Sequence, residues 1–318
     1  MRRWGAAALA MAAAGALAGP AMGFGTVRSS ALGQNAEHER ITRQGMQDLL
    51  QAWTLSELAG ENGTWGAVGA PDNPARGLMD EKRNHCDGGD WFDESGYPQS
   101  RADAQKQIEA CRAYIFAKLD EAVRDAGALV RKDSQGHWVA RADQMPSKAN
   151  DCSYLGVKGR AKCNVLEDMG LALHASQDFY SHSNWVDQSR PGKPVARDNP
   201  PGLGNREPAA WLDPAKPSEP FPNGLITGCY DGFPEPAYCN YGWTLKSRVK
   251  HSYLNKDGVG KDRSQFGDNH KRAFDAAAKD TYRKWMWLES QILATYPDGQ
   301  GAKIICALRS DKASSCGG

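Results

Sequence analysis

The sequence predicts a mostly α-helical domain that is stapled by disulfides and interrupted by long irregular loops. Several stretches carry apolar residues at steps of three and four, which is the spacing of a helix that buries one face. No stretch of any length alternates apolar and polar residues as a half-buried strand does. Eight cysteines fall in four couples that are close in sequence. We therefore expect a single helical domain over residues 24–318, with four to seven helices around a central one.

The first residues have the pattern of a secretory signal peptide over residues 1–23. Two arginines precede an Ala-rich apolar run, and Ala21 and Gly23 are small residues suited to cleavage. The run is too short to span a membrane, and no later segment reaches that length. We therefore expect a secreted protein, extracellular or periplasmic, with no transmembrane segment and a mature chain that begins near Phe24.

Composition argues against a broad polyanion-binding surface, because the chain has 39 basic and 38 acidic residues. Eight cysteines in an exported chain indicate four disulfides, and we adopt neighbour pairing among about 105 possible connectivities. The expected pairs are Cys86–Cys111, Cys152–Cys163, Cys229–Cys239 and Cys306–Cys316. The alternative, cysteines that bind zinc, lacks any C-x-x-C spacing.

Helical spacing begins at Glu37–Leu58, where His38 stands at the start of the pattern. Residues 60–96 form a loop region rich in Gly, Asp and Asn, in which Asp72 and His85 stand in two polar groups. These groups either bind a metal or are ordinary turn residues, and the sequence leaves both interpretations open. Arg101–Val130 is predicted as the second helix.

Eleven of the 17 prolines lie within residues 191–240, so we expect an irregular excursion there, held by a disulfide. Trp211, Phe221 and Phe233 indicate a packed lid or rim, and disorder of part of this segment is the open alternative. A last long helix is predicted over Gln265–Thr295, followed by a stapled tail at residues 300–318.

The central helix, which begins near Cys163, carries the strongest chemical signal. His174, Asp178 and His182 recur every fourth residue, which puts them on one helix face about 6 Å of rise apart. Neutral imidazoles and carboxylates are ligands that zinc takes. Apolar neighbours indicate that the helix is buried, and buried His and Asp need partners or a metal. The alternative is a polar stripe on a solvated face.

Additional polar residues favour several metal ions over one. A catalytic zinc needs three protein ligands, which the central helix nearly supplies, and this leaves other candidates without a role. Those candidates are His38, Asp72, His85 and His251. An aspartate between two imidazoles can bridge two ions. Paired ions about 3.5–4 Å apart activate a water and clamp the oxygens of a phosphoryl displacement.

The motif His174-x-x-x-Asp178, preceded by Asp72, by His85 and by His38 near the mature N-terminus, resembles the zinc-dependent phospholipase C/P1 nuclease superfamily. The string ALHASQDFYSHSNWV is similar to its HET-C-like branch, which includes bacterial CinY-like proteins. The similarity covers most of the mature chain, and the central motif is its most specific part. The resemblance implies an all-α domain with three zinc ions at the bottom of a cleft.

By order and spacing, the resemblance implies that Asp72, His85, His174 and Asp178 hold one ion. Asp72 and Asp178 become the candidate catalytic carboxylates. The alternative for Asp72 is a turn former before Asn73-Pro74.

The resemblance also implies that Asp178 bridges to a second ion, which His38 and the free amino group near Phe24 would hold. His182 and His251 would hold a third. The alternative for His38 is a helix cap.

Two departures from the superfamily affect the third ion. Asp178 and His182 are four residues apart, whereas the superfamily usually has a slightly longer step. The superfamily also has a carboxylate one helical turn after its last histidine ligand, and here Asn255 stands at that spacing after His251. The residues that would substitute are Asp87, Asp187 and Asp257. We therefore expect two firmly held zinc ions and a weaker third.

The predicted function is a secreted zinc-dependent phosphodiester hydrolase, phospholipase C-like, that acts on phospholipid or another phosphodiester. Ten tryptophans suit a lipid-facing rim with peripheral membrane contact. One alternative is a P1-type single-strand nuclease, which would make nucleic acid the partner, although such a nuclease tends to carry a basic track. A second alternative is a non-catalytic, zinc-stabilised surface or secreted protein.

Overall fold

A computed structural model describes residues 24–29, 34–230, 239, 248–260 and 262–317. The predicted signal peptide and the end of the Pro-rich excursion, including Phe233, lie outside the described residues. The described chain is mostly α-helical, which confirms the fold class. Its α-helices are α1 (Glu37–Gly45), α2 (Ala52–Ala59), α3 (Lys82–His85), α4 (Arg101–Ala126), α5 (Ala161–His182), α6 (Asn269–Thr295) and α7 (Gln300–Arg309).

Two small antiparallel sheets accompany the helices. β1 (Arg28–Ser29) pairs with β2 (Gln34–Asn35), and β3 (Val130–Lys132) pairs with β4 (Trp138–Ala140). Strands of two or three residues are too short to show an alternating pattern, so these strands were not predicted.

Helix α5 is the centre of the fold. It packs against α1, α2, α3, α4 and α6, and each of its residues except Asn164 is buried. Gly170 allows one close approach, because a Cβ there would lie 2.4 Å from the carbonyl carbon of Ala67. The segment that leads to Asp72 therefore lies directly against α5. The solvated-stripe alternative is wrong for this helix.

The predicted helix ends differ from the observed ones where tertiary contacts intervene. The expected helix Glu37–Leu58 is two helices, because the chain turns at Asp48, whose φ is +65°. The N-terminus of α2 is then capped by the carboxylate of Asp311, which accepts from Trp53 N and Thr54 N. A cap from 257 residues away leaves no local signal.

The two other long helices are shorter than predicted. Helix α4 ends at Ala126, because the chain from Val130 onward pairs as β3. Helix α6 begins at Asn269, after a separate 3-10 turn over Asp262–Gln265 and a left-handed Asp268.

All four cysteine couples form disulfides, so the neighbour pairing is confirmed. Disulfides in this number are typical of proteins that fold in an oxidising, extracellular type of environment. Within the described ranges, none of the helices has the length and apolar content needed to cross a bilayer.

Residues 191–230 of the Pro-rich excursion contain no α-helix, as predicted. Trp211 is 1% exposed and its ring centroid lies 5.1 Å from that of Phe179 on α5. Phe221 is partly buried beside it, at 5.7 Å. Trp211 therefore belongs to the core.

Lys162 joins the C-terminal tail to α5. Its buried ammonium donates to Thr54 Oγ1 at 2.7 Å, to Ala307 O at 3.0 Å and to Ser310 O at 2.6 Å. Ala307 O belongs to the last turn of α7, where carbonyls have no partner within the helix. Burial lowers the pKa of Lys162 to about 7.

We expect Lys162 to make the unfolding free energy rise with pH between about 7 and 10. In this window the unfolded chain keeps the lysine proton and the folded protein releases it. Raising the pH therefore favours folding, by up to about 1.4 kcal/mol per pH unit. Lys162→Met should remove this slope and leave acceptors unpaired, at a cost of roughly 1–3 kcal/mol. Urea unfolding across pH 6–10 measures both, with exposed Lys106→Met as the control. An unchanged pH profile in Lys162→Met would contradict the assignment.

Candidate metal centre

The carboxylate of Asp178 is fully buried and lies at the centre of a group of buried imidazoles. Its Oδ2 is 2.9 Å from His85 Nδ1 and 3.2 Å from His174 Nε2. Its Oδ1 is 3.2 Å from His38 Nε2 and 3.1 Å from the backbone nitrogen of Phe24. The two oxygens of one carboxylate therefore face two different sets of nitrogen atoms.

Asp72 lies beside His85 and His174. Its Oδ1 lies 3.6 Å from His174 Nε2 and 3.9 Å from His85 Nδ1, while its Oδ2 accepts a hydrogen bond from Thr26 Oγ1. Asp72 is the last residue of a 3-10 turn, yet its carboxylate is 1% exposed. It therefore points at the histidines instead of serving only as a turn residue.

His38 lies on the other side of Asp178, in the first turn of α1. Its ring stacks on that of His174 at a centroid distance of 4.2 Å. The residue that precedes α1 is Ala36, in a left-handed conformation and without a side-chain cap. The helix-cap alternative for His38 is not what the structure shows.

A second cluster joins Asp87, His182 and His251. Ligand atoms of these three buried residues lie within 4.8 Å of one another, and the rings of His182 and His251 are 4.0 Å apart. His182 Nδ1 is 2.9 Å from Asp87 Oδ1, a close approach without hydrogen-bond geometry. His182 continues the α5 face that carries Asp178, so the two clusters are neighbours. The structure thus brings together all seven candidate metal ligands, in two groups.

The three candidate replacements for the missing late carboxylate have different positions. Asp87 belongs to the second cluster, and Asp257 Oδ1 lies 3.8 Å from His182 Nε2. Asp187 pairs instead with the buried cations of Lys256 at 2.8 Å and Arg263 at 3.1 Å. Asp187 is therefore excluded, because its charge is already compensated.

Several potential ligand atoms of the two clusters have no hydrogen-bond partner and are therefore available to a metal ion. In the described part of the chain, seven buried nitrogen and oxygen atoms of the two clusters have no hydrogen-bond partner. They are His38 Nε2, Asp72 Oδ1, His85 Nε2, Asp87 Oδ1, His182 Nε2, and Nδ1 and Nε2 of His251. Leaving such atoms unpaired costs about 1–3 kcal/mol each. Buried His and Asp groups of this kind could hold metal ions.

Hydrogen bonds behind the rings fix which nitrogen several histidines present. Nδ1 of His174 lies 2.9 Å from Val68 O, and Nδ1 of His182 lies 3.0 Å from His85 O. Each Nδ1 must carry a hydrogen to donate to a carbonyl, so Nε2 is the nitrogen left to bind a metal. This arrangement prepares an imidazole for a metal.

Gln177 orients the His38 ring in the same way, and this residue was not among the predicted site residues. Its Oε1 lies 2.7 Å from His38 Nδ1. The signal was present, because a glutamine adjacent to Asp178 in an otherwise apolar, buried helix needs partners of its own.

The loop that carries His85 and Asp87 is fixed by covalent and backbone contacts. Cys86 between them adopts a left-handed conformation and is bonded to Cys111 on α4. Gly88 N donates to Gly228 O, and Gly228 N donates to His182 O. One loop is therefore tied both to α4 and to the end of α5.

Burial and mutual attraction shift the ionisation of the centre. Burial opposes the charge of Asp178, but the surrounding imidazoles outweigh it and hold its pKa well below the ordinary value. Burial lowers the pKa of His85 and His182, yet Asp178 and Asp87 respectively outweigh it, raising these values to about 9 and about 10. Both rings hold protons at neutral pH, which a metal ion would displace.

Comparisons with protein-family models, with curated proteins and with solved structures find no match to this chain. The resemblance to the superfamily therefore stays a prediction from the sequence motif.

We expect Asp178→Asn to lose metal from both sides of the centre. The neutral amide removes the negative charge that faces both sets of nitrogen atoms. The affinity for metal should therefore fall more than about 100-fold, since losing only a group that hydrogen-bonds a metal ligand already costs about 10–100-fold. Elemental analysis of the purified, unchelated protein gives the metal content per chain. Asp168→Asn, a buried carboxylate of the same helix that pairs with lysines, is the matched control. Equal metal content in both variants would contradict the role of Asp178.

Proposed function

We propose that this chain is a secreted, zinc-dependent hydrolase of phosphodiester bonds with phospholipase C-like specificity. The observation that carries the proposal is the convergence around Asp178 of buried ligand groups from segments far apart in the chain. His38 and His85 contact Asp178 directly, and Asp72 lies 3.6 Å from His174 beside it. Structural zinc sites are usually closed by four ligands, whereas adjacent His and carboxylate groups favour a multi-ion catalytic centre.

The geometry supports a division of the residues among two or three zinc ions. Asp72, His85, His174 and Asp178 Oδ2 would hold one ion. His38, Asp178 Oδ1 and the amino group of Phe24, if the mature chain begins there, would hold a second. The cluster of Asp87, His182 and His251 would hold the third.

Zinc ions, when bound, stabilise charge on phosphate oxygens and make water a nucleophile at neutral pH. In hydrolysis, water adds to phosphorus, the bond to one ester oxygen breaks, and that oxygen leaves as an alcohol. Asp178 keeps a negative charge between the cation sites. The side chains of His85 and Asp257 are 9% and 14% exposed, so water and substrate would arrive from their side.

Two features support a lipid substrate over a nucleic acid. The chain has a net charge of +1, so it lacks the excess of cations that a polyanion requires. Trp91 and Phe92, which follow the loop carrying Asp87, are partly buried, and the guanidinium of Arg101 lies 5.5 Å from the Trp91 ring centroid. Partly exposed aromatic rings are typical of membrane-interface contacts. The disulfides support export.

An assay panel tests the proposal. We expect chelator-sensitive release of phosphocholine from phosphatidylcholine vesicles, and cleavage of a chromogenic phosphodiester, with Asp178→Asn inactive on both. Release of nucleotides from single-stranded DNA, without lipid cleavage, would favour a P1-type nuclease instead. A zinc-loaded protein that cleaves none of these substrates would overturn the hydrolase and favour the non-catalytic, zinc-stabilised alternative.

The position of Phe24 generates a separate prediction about the N-terminus. Its nitrogen is 3.1 Å from Asp178 Oδ1 and its side chain is fully buried. An amide nitrogen cannot bind zinc as an amine does, so a tag left before Phe24 should lower the zinc content by about one ion per chain. The same tag placed after Gly318 is the control. Equal zinc content with either tag would rule out the amine as a ligand.

A further inference from the structure

Gln177 connects three helices beside the candidate metal centre. Its amide is fully buried on α5, and its Nε2 donates to Thr42 Oγ1 on α1 and to Thr281 Oγ1 on α6, both at 3.0 Å. Its Oε1 lies 2.7 Å from His38 Nδ1. Both amide hydrogens and the carbonyl oxygen therefore have partners, and two hydroxyl acceptors turn the oxygen towards His38.

His38 differs from the other histidines in what holds its ring. Nδ1 of His174 and of His182 each face a main-chain carbonyl, which no substitution removes. Nδ1 of His85 faces Asp178 itself. Among the described residues, only the His38 ring is oriented by a neutral side chain behind it, so a substitution of Gln177 tests what holds this ring.

The tautomer of the His38 ring determines whether a lone pair or an N–H group faces Asp178 Oδ1. With Nδ1–H donating to Gln177, as the hydrogen-bond network assigns it, Nε2 presents a lone pair 3.2 Å from Oδ1. In the opposite tautomer, Nε2–H would donate to Oδ1 and occupy the oxygen that faces Phe24 N. The first arrangement can bind a cation and the second cannot.

We propose that Gln177 is a positioning residue that sets the nitrogen presented by His38, and thereby controls metal occupancy on the His38 side of the centre. This inference rests on the zinc-binding part of the proposed function. One neutral amide would then determine whether the centre binds all of its zinc ions or lacks the ion on the His38 side.

The test compares three variants of the mature protein with a native N-terminus. Gln177→Met keeps the length of the side chain and removes the acceptor. Gln177→Glu restores an acceptor for Nδ1–H. Thr281→Val keeps the contact between Gln177 and His38 but leaves one amide hydrogen of Gln177 unpaired. It therefore measures the effect of losing a hydrogen bond between helices without losing the acceptor for His38. Zinc per chain is measured by elemental analysis, and affinity by competition with a chromophoric chelator.

We expect Gln177→Met to weaken one ion by about 10–100-fold and to leave the others unchanged. Gln177→Glu should restore that ion, and Thr281→Val should retain all ions despite a similar loss of thermal stability in chelator. Wild-type affinity in Gln177→Met, failure of Gln177→Glu to rescue, or the same selective loss in Thr281→Val would overturn the proposal.

A measurement on the wild-type protein tests the proposal even if the variants do not fold. Nitrogen NMR shifts of the metal-free His38 ring should report hydrogen on Nδ1, and hydrogen on Nε2 alone would overturn the assignment. If the wild-type protein binds zinc but cleaves no phosphodiester, the hydrolase proposal fails while the zinc measurements still decide the role of Gln177. If it binds no zinc, both fail.

Discussion

The structure depends on keeping one fully buried carboxylate ionised. Asp178 is fully buried, and an isolated buried charge of this kind would cost far more than a domain can spare. Nitrogen atoms on both sides of the carboxylate supply the compensation, through Oδ1 towards His38 and through Oδ2 towards His85 and His174. Because the compensating atoms must arrive from every direction, the helix that carries Asp178 has to be surrounded by the rest of the chain.

This requirement accounts for the way the loops are tied down. A loop imidazole is a useful partner only if it stays within a few tenths of an ångström of its position. The disulfide between Cys86 and Cys111 fixes the loop of His85 and Asp87 to α4, and Cys229–Cys239 lies next to the strand-like contact that precedes His251. The disulfides therefore hold the irregular segments, while apolar packing holds the helices.

Local patterns in the sequence were sufficient for the features that depend on neighbours in the chain. The four-residue steps from His174 to His182 and the pairing of close cysteines were both confirmed as spatial relations. The break at Asp48 and the choice among acidic residues depend instead on distant contacts. Asp187 looked as suitable as Asp87, but Lys256 and Arg263 neutralise it, and no spacing in the sequence announces that.

The replacement of the late carboxylate by Asn255 changes how the second cluster is assembled. Asn255 accepts from Asp257 N at 2.6 Å, so it shapes its own loop instead of facing His251. The carboxylate comes from the opposite wall, where Asp87 precedes Gly88 in the stapled loop. His182 Nδ1 also lies 3.0 Å from the carbonyl of His85. A shift of that loop would therefore move a residue of each cluster together, so the two clusters are mechanically one centre rather than two independent sites.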